Sequence, residues 1–145
     1  MKFKNLYPLR GQTLVEFALV IPIFLLLAVV IFDLGRGVYY YSAVHNAARE
    51  GARYGVVHPD IADYPSIEAV AINYAIGLGL TAADVSAGPG TPENVGGVNN
   101  PTIKVTVSYD FTPVTPFVDN FFPCGCGFLT LTSDAIMRTE TLPSP

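Results

Sequence analysis

Between Leu14 and Leu34 the chain reads LVEFALVIPIFLLLAVVIFDL, and its only ionisable side chains are Glu16 and Asp33, one near each end. As a helix these residues would extend about 31 Å, close to the ~30 Å hydrocarbon thickness of a bilayer. The segment reads as a membrane span, with both carboxylates within reach of water and headgroups. Lys2, Lys4 and Arg10 precede it, so the N-terminus is expected in the cytoplasm and everything after residue 35 outside, with the chain held in the inner (cytoplasmic) membrane. A cleaved secretory signal also starts basic. This run is longer than the usual ~7 to 15 apolar residues, carries Glu16 at its start and has no A-x-A site at its end, so it is expected to be retained.

Composition separates this segment from the rest. Half of the 145 residues are hydrophobic and only 14% are charged, while 13 Gly and 12 Pro point to a loop-rich head. The net charge of -4 includes three of the eight basic residues within the first ten positions; without residues 1–11 the balance is 5 minus 12, or -7. Such an acidic body cannot displace the counterions around phosphates, which excludes nucleic acid as a partner.

The helical pattern continues beyond the membrane. Val38–Val57 contains no proline, and Val44, Ala47, Ala48, Gly51, Ala52 and Gly55 share one face, with His45, Asn46, Arg49, Glu50 and Arg53 opposite. Ala43, Ala47, Gly51 and Gly55 recur every four residues, so another backbone can approach closely there. Each interior glycine costs roughly 1 kcal/mol relative to alanine, which packing must offset. A helix over 12–57 would be about 69 Å long, more than an anchor needs. Pro22 removes one donor and crowds the carbonyl of Ala18, so a kink or local melting is expected there. Tyr39, Tyr40 and Tyr41 follow the span at interfacial level.

After His58-Pro59-Asp60 the pattern restarts at Pro65, where Ile67, Val70, Ala71, Tyr74, Ala75 and Leu78 predict a second amphipathic helix ending at Gly77 and Gly79. It could lie on a sheet or on the small-residue face. Residues 86–101 read as a turn-rich surface loop. Ile103, Val105, Val107, Tyr109 and Phe111 alternate as a strand, a second strand region runs from Phe128 to about Thr141, and a short one covers Val85–Ala87. The expected fold is therefore α+β: a long membrane-spanning helix, then an external head over 58–145 with one helix on a small antiparallel sheet. Pro113–Gly127 forms a link with Phe117, Phe121 and Phe122, aromatics that either fill the core or meet a partner.

Chemistry-bearing residues are sparse. Cys124 and Cys126 cannot supply a four-ligand zinc site, and they read as loop thiols or a tight local disulfide. His45 and His58 lack any carboxylate-histidine motif, and neither nucleophile-elbow nor paired-carboxylate signatures occur. No cofactor, metal site or catalytic set is expected.

Leu9-Arg10-Gly11 followed by Gln12-Thr13-Leu14-Val15-Glu16-Phe17 resembles a prepilin cleavage site. With Glu16-Phe17-Ala18-Leu19-Val20-Ile21-Pro22, Asp33-Leu34-Gly35-Arg36 and Ala47-Ala48-Arg49-Glu50-Gly51-Ala52-Arg53, the chain resembles the TadE-like pseudopilins of the tight-adherence pilus and secretion machinery. The resemblance implies a leader over 1–11, cut between Gly11 and Gln12 by a membrane prepilin peptidase. It further implies that Glu16 neutralises the new N-terminal amine, its own or a neighbour's, when helices pack. The implied partners are sister pseudopilins, the major pilin and an assembly platform driven by a cytoplasmic ATPase. Read without the resemblance, Glu16 simply meets water at the interface, and the chain is an uncleaved single-pass protein displaying an extracytoplasmic binding domain. Asp33 with Arg36 and Glu50 with Arg53 read equally as family-specific contacts or as weak i,i+3 surface pairs.

Overall fold

The computed structural model describes residues 10–58, 63–115 and 129–139. The architecture is α+β. Helix α1 (Arg10–Val57) carries a head made of α2 (Tyr64–Tyr74) and strands β1 (Val85–Pro89), β2 (Glu93–Val95), β3 (Val98–Asn100), β4 (Thr102–Phe111) and β5 (Leu129–Arg138).

At 48 residues, α1 is about 72 Å long. It stays helical through Pro22, so the local melting expected there does not occur. Proline deletes one donor, and the remaining i to i−4 bonds carry the helix across it. The two ends of α1 have different environments. From Gly11 to Phe32 no side chain is buried, whereas Asp33, Val44, Ala47, Ala48, Gly51, Ala52 and Gly55 are.

What covers that face is this chain's own head. A Cβ on Gly51 would lie 2.9 Å from the Ala71 Cβ of α2 and 3.3 Å from Val105 Cγ1 of β4. One on Gly55 would lie 2.5 Å from Ile103 Cδ1 and 3.0 Å from Ile67 Cδ1. The glycines thus let α2 and the sheet approach α1 together, and the gain in dispersion and apolar burial offsets their helix-propensity cost.

Asp63 caps α2 by accepting the Ser66 amide, and proline occupies its first turn. The helix ends at Tyr74, four residues short of the Leu78 expected from periodicity. The Ala75 amide bonds back to Ala71 and Ile72, and Gly77 and Gly79 take φ of +82° and +65°. Leu78 is still buried, because the turn carries it back to the core.

β4 is the centre of an antiparallel sheet ordered β1-β4-β5, with Val105 opposite Ala87 and Ala135. Ile103, Val105 and Val107 are fully buried beneath α1 and α2, as period-2 alternation requires. The segment 86–101 is not the loop expected. It contains most of β1 and a β2-β3 hairpin turning at Gly96 and Gly97, with φ of +63° and +86°. Two glycines at positive φ make the two-residue turn that matches strand twist, a signal masked by the polar Asn94, Asn99 and Asn100 around it. The link that carries Phe117, Phe121, Phe122, Cys124 and Cys126 lies outside the described residues.

Candidate functional site

The lower half of α1 holds Gly11, Gln12 and Glu16, and its junction with the head holds Asp33. Gly11 and Gln12 are exposed in the first turn, and nothing lies within 4 Å of a Cβ built on Gly11. Glu16 follows about 7.5 Å along the axis. It is exposed among Leu14, Val15 and Phe17 and makes no ion pair among the described residues. Among the described residues, Gly11, Gln12 and Glu16 therefore share one uncovered end of the rod.

Above them the surface is almost wholly apolar. Thirteen large hydrophobic side chains between Leu14 and Leu34 are 47–71% exposed. At roughly 1.5 to 3 kcal/mol per large side chain taken out of water, this surface forgoes on the order of 20 kcal/mol of burial in an isolated chain. A patch of this kind marks a membrane or protein interface. Gly11–Phe32, the stretch without buried side chains, is 22 residues or about 33 Å long. The head's footprint thus starts one bilayer thickness from the first turn, and the helix is long and apolar enough to cross a membrane.

The junction is built around Asp33, which is 6% exposed. One carboxylate oxygen accepts the amides of Val114 at 2.8 Å and Thr115 at 2.7 Å and the Thr115 hydroxyl, while the other pairs with Arg36 at 3.2 Å. Asp33 is therefore not the solvated charge that its place at the end of an apolar run suggests. It receives the chain as it leaves β4, and its hydrogen bonds offset the cost of covering a carboxylate. A signal for this was present: Asp33, Gly37, Tyr40, Val44, Ala47, Gly51 and Gly55 step by three or four, placing the carboxylate on the head-facing stripe.

Beside it, the Arg36 guanidinium lies 5.6 Å from the Tyr40 ring centroid and 5.4 Å from that of Phe111. Tyr40 also meets Tyr109 edge-on at 5.1 Å. Tyr39 and Tyr41 are 57% and 54% exposed at the same level, where amphipathic rings suit a membrane boundary. Of the other pairs, Glu50 and Arg53 are 3.9 Å apart with Arg53 largely exposed, the geometry of a weak surface pair.

The small-residue positions lie higher. Ala47, Gly51 and Gly55 are buried against the head and Ala43 is half-buried, so this set is separate from Gly11, Gln12 and Glu16. Among the described residues, neither histidine belongs to a cluster of His, Cys, Asp or Glu that could hold a metal ion. His45 shares a 2.9 Å hydrogen bond with Ser133 of β5, and His58 stacks on Tyr54 at 3.7 Å at the end of α1.

Comparison with known proteins bears on this same helix. Residues 11–53 match the family model described as TadE-like protein. That match contains the whole bare segment, Asp33 and most of the docking stripe, so the N-terminal part of the chain is TadE-like, as its motifs imply. No curated protein and no solved structure matches the chain.

Proposed function

We propose that this chain is a pilin-like structural subunit, a minor pilin or pseudopilin, for assembly of a tight-adherence pilus or secretion apparatus. It enters the cytoplasmic membrane with the leader over 1–11 inside and the head outside, and a prepilin peptidase cuts it between Gly11 and Gln12. The observation that carries this reading is the coincidence of the TadE-like match with a helix whose first 33 Å or so the head leaves bare. A bare apolar rod suits lipid before assembly and neighbouring helices after it. Its role is therefore one of packing, with sister pseudopilins, the major pilin and the assembly platform as partners.

Glu16 gives the reading its chemistry. A carboxylate inside an apolar span costs about 2.5 to 3.5 kcal/mol at the helix centre and less towards the ends, so a positive partner is favoured. Cleavage at Gly11 creates an amine at Gln12, four residues from Glu16, and this amine can neutralise it in the same chain or in a neighbour. Intact mass and N-terminal sequencing of protein from native membranes test the reading. A chain starting at Gln12 is the expected result. A chain still starting at Met1 in cells with an active prepilin peptidase would instead favour an uncleaved single-pass protein.

A further inference from the structure

β1 is an edge strand, with β4 on one side and, among the described residues, no strand on the other. The ladder fixes which groups face that free side. Ser108 donates to the Asp84 carbonyl and Gly90 to the Thr102 carbonyl, both at 2.8 Å. Positions 84 and 90 therefore face β4, and the two-residue alternation of an antiparallel ladder puts 86 and 88 with them. Val85, Ala87 and Pro89 turn their main-chain groups the other way, towards the edge. A row of unpaired amides and carbonyls is a template on which another chain can add a strand.

Each donor in that row is withheld. Pro89 has no N–H to offer. Val85 is 4% exposed, so little of it can be reached. The Ala87 amide donates to Oε1 of Glu68, which reaches across from α2, at 3.0 Å. Ala87 is thus the position at which the edge would open, and a side chain from another element closes it. A strand added here would bring a carbonyl to the Ala87 amide, into the place that the Glu68 oxygen holds. The carboxylate is charged and makes the stronger bond. Seating α2 does not require this contact, because Ile67 and Ala71, buried at Gly55 and Gly51, already hold that helix on α1.

We propose that Glu68 locks the β1 edge, denying it to an extended segment of a second copy of this chain. With the lock closed, heads that crowd together remain separate sheets. The lock lies wholly in the head, so it is independent of processing at Gly11 and of the membrane role of α1.

The test uses the full chain in mild detergent at rising concentration, with a photoreactive residue in place of Ser86, which is exposed on β1. Glu68→Gln keeps an oxygen acceptor for the Ala87 amide, and Glu68→Ala removes it. The double variant Glu68→Ala, Ala87→Pro removes the donor as well, and proline is tolerated where an edge N–H faces away from its sheet. Cross-links between copies are expected to rise at least fivefold in Glu68→Ala, to stay at the unaltered level in Glu68→Gln and to return to it in the double variant. Amide exchange at Ala87 is expected to quicken at least tenfold in Glu68→Ala and little in Glu68→Gln. Faster exchange in Glu68→Ala without added cross-links makes the contact a mere tie between α2 and β1 and overturns the proposal. So does an equal rise in Glu68→Gln, or a rise that persists in a folded double variant, since that pairing needs no Ala87 donor. Should the double variant fail to fold, the contrast between Glu68→Gln and Glu68→Ala decides by itself.

Discussion

Replacing Asp33 with alanine removes the acceptor for two backbone amides and one hydroxyl at the foot of the head. Thr115 is buried, so its amide and hydroxyl cannot simply turn to water, and leaving a buried donor unsatisfied costs about 1 to 3 kcal/mol. The Val114 amide is less enclosed and adds less. A loss of roughly 2 to 4 kcal/mol is expected on this count. If the Asp33–Arg36 ion pair were instead the only important contact, the loss would be at most about 1 kcal/mol, as for an exposed i,i+3 pair. Arg36→Ala is the internal comparison, because it removes the same ion pair together with stacking on Tyr40 and Phe111 worth about 0.5 to 1 kcal/mol each. The assay is denaturant unfolding of the full chain in detergent, with amide exchange at Val114 and Thr115 read in parallel. Asp33→Ala is expected to lower stability more than Arg36→Ala and to speed exchange at both amides. A loss below about 0.5 kcal/mol with unchanged exchange at Thr115 would refute the role assigned to the carboxylate.

Gly51→Leu should destabilise the head by about 1 to 3 kcal/mol through overpacking, since its Cβ alone meets Ala71 Cβ at 2.9 Å, and a parallel thermal melt of Gly35→Leu, where nothing lies within 4 Å, should show no such loss. Acid should weaken the head. Amide and hydroxyl bonds from Thr81 hold Asp84 below the usual carboxylate range, and bonds from Lys104 and Thr106 do the same for Asp134. The folded head then binds fewer protons than the unfolded chain, so this stabilisation is complete above about pH 4 and is lost as pH falls through the lowered values. Urea midpoints taken from pH 6 to pH 2.5 should drop less in the double variant Asp84→Asn, Asp134→Asn than in the unaltered protein. Glu16→Ala should leave carbonate-resistant membrane insertion intact and reduce the yield of assembled complexes with partner pilins; an undiminished yield would count against the pairing role of Glu16.

Much of the architecture could be read locally. The apolar run, the small-residue stripe and the alternation along β4 each follow from a repeat that side-chain geometry imposes on one element. The structure departs from that local reading where a residue's partner lies far along the chain or where turn chemistry competes with composition. Leu78 continues the helical spacing, yet Gly77 at positive φ ends α2 early. Gly96 and Gly97 sit in a polar stretch that reads as loop, yet they close a hairpin. Asp33 pairs with residues 81 and 82 positions away, beyond any local window.

Chain chemistry alone established a rod apolar over one membrane thickness, a glutamate near its N-terminal end and glycines that permit a close neighbour, because hydrophobicity and side-chain size are properties of the residues themselves. It left open which surface that neighbour would be. Folding back of α2 and β4 onto Gly51 and Gly55 settled this, since those glycines can accept only a partner of matching shape and the head lies within the same chain. The same docking buried Asp33 and left Gly11–Phe32 bare, dividing one continuous helix into a half that holds the head and a half free to meet lipid or other helices.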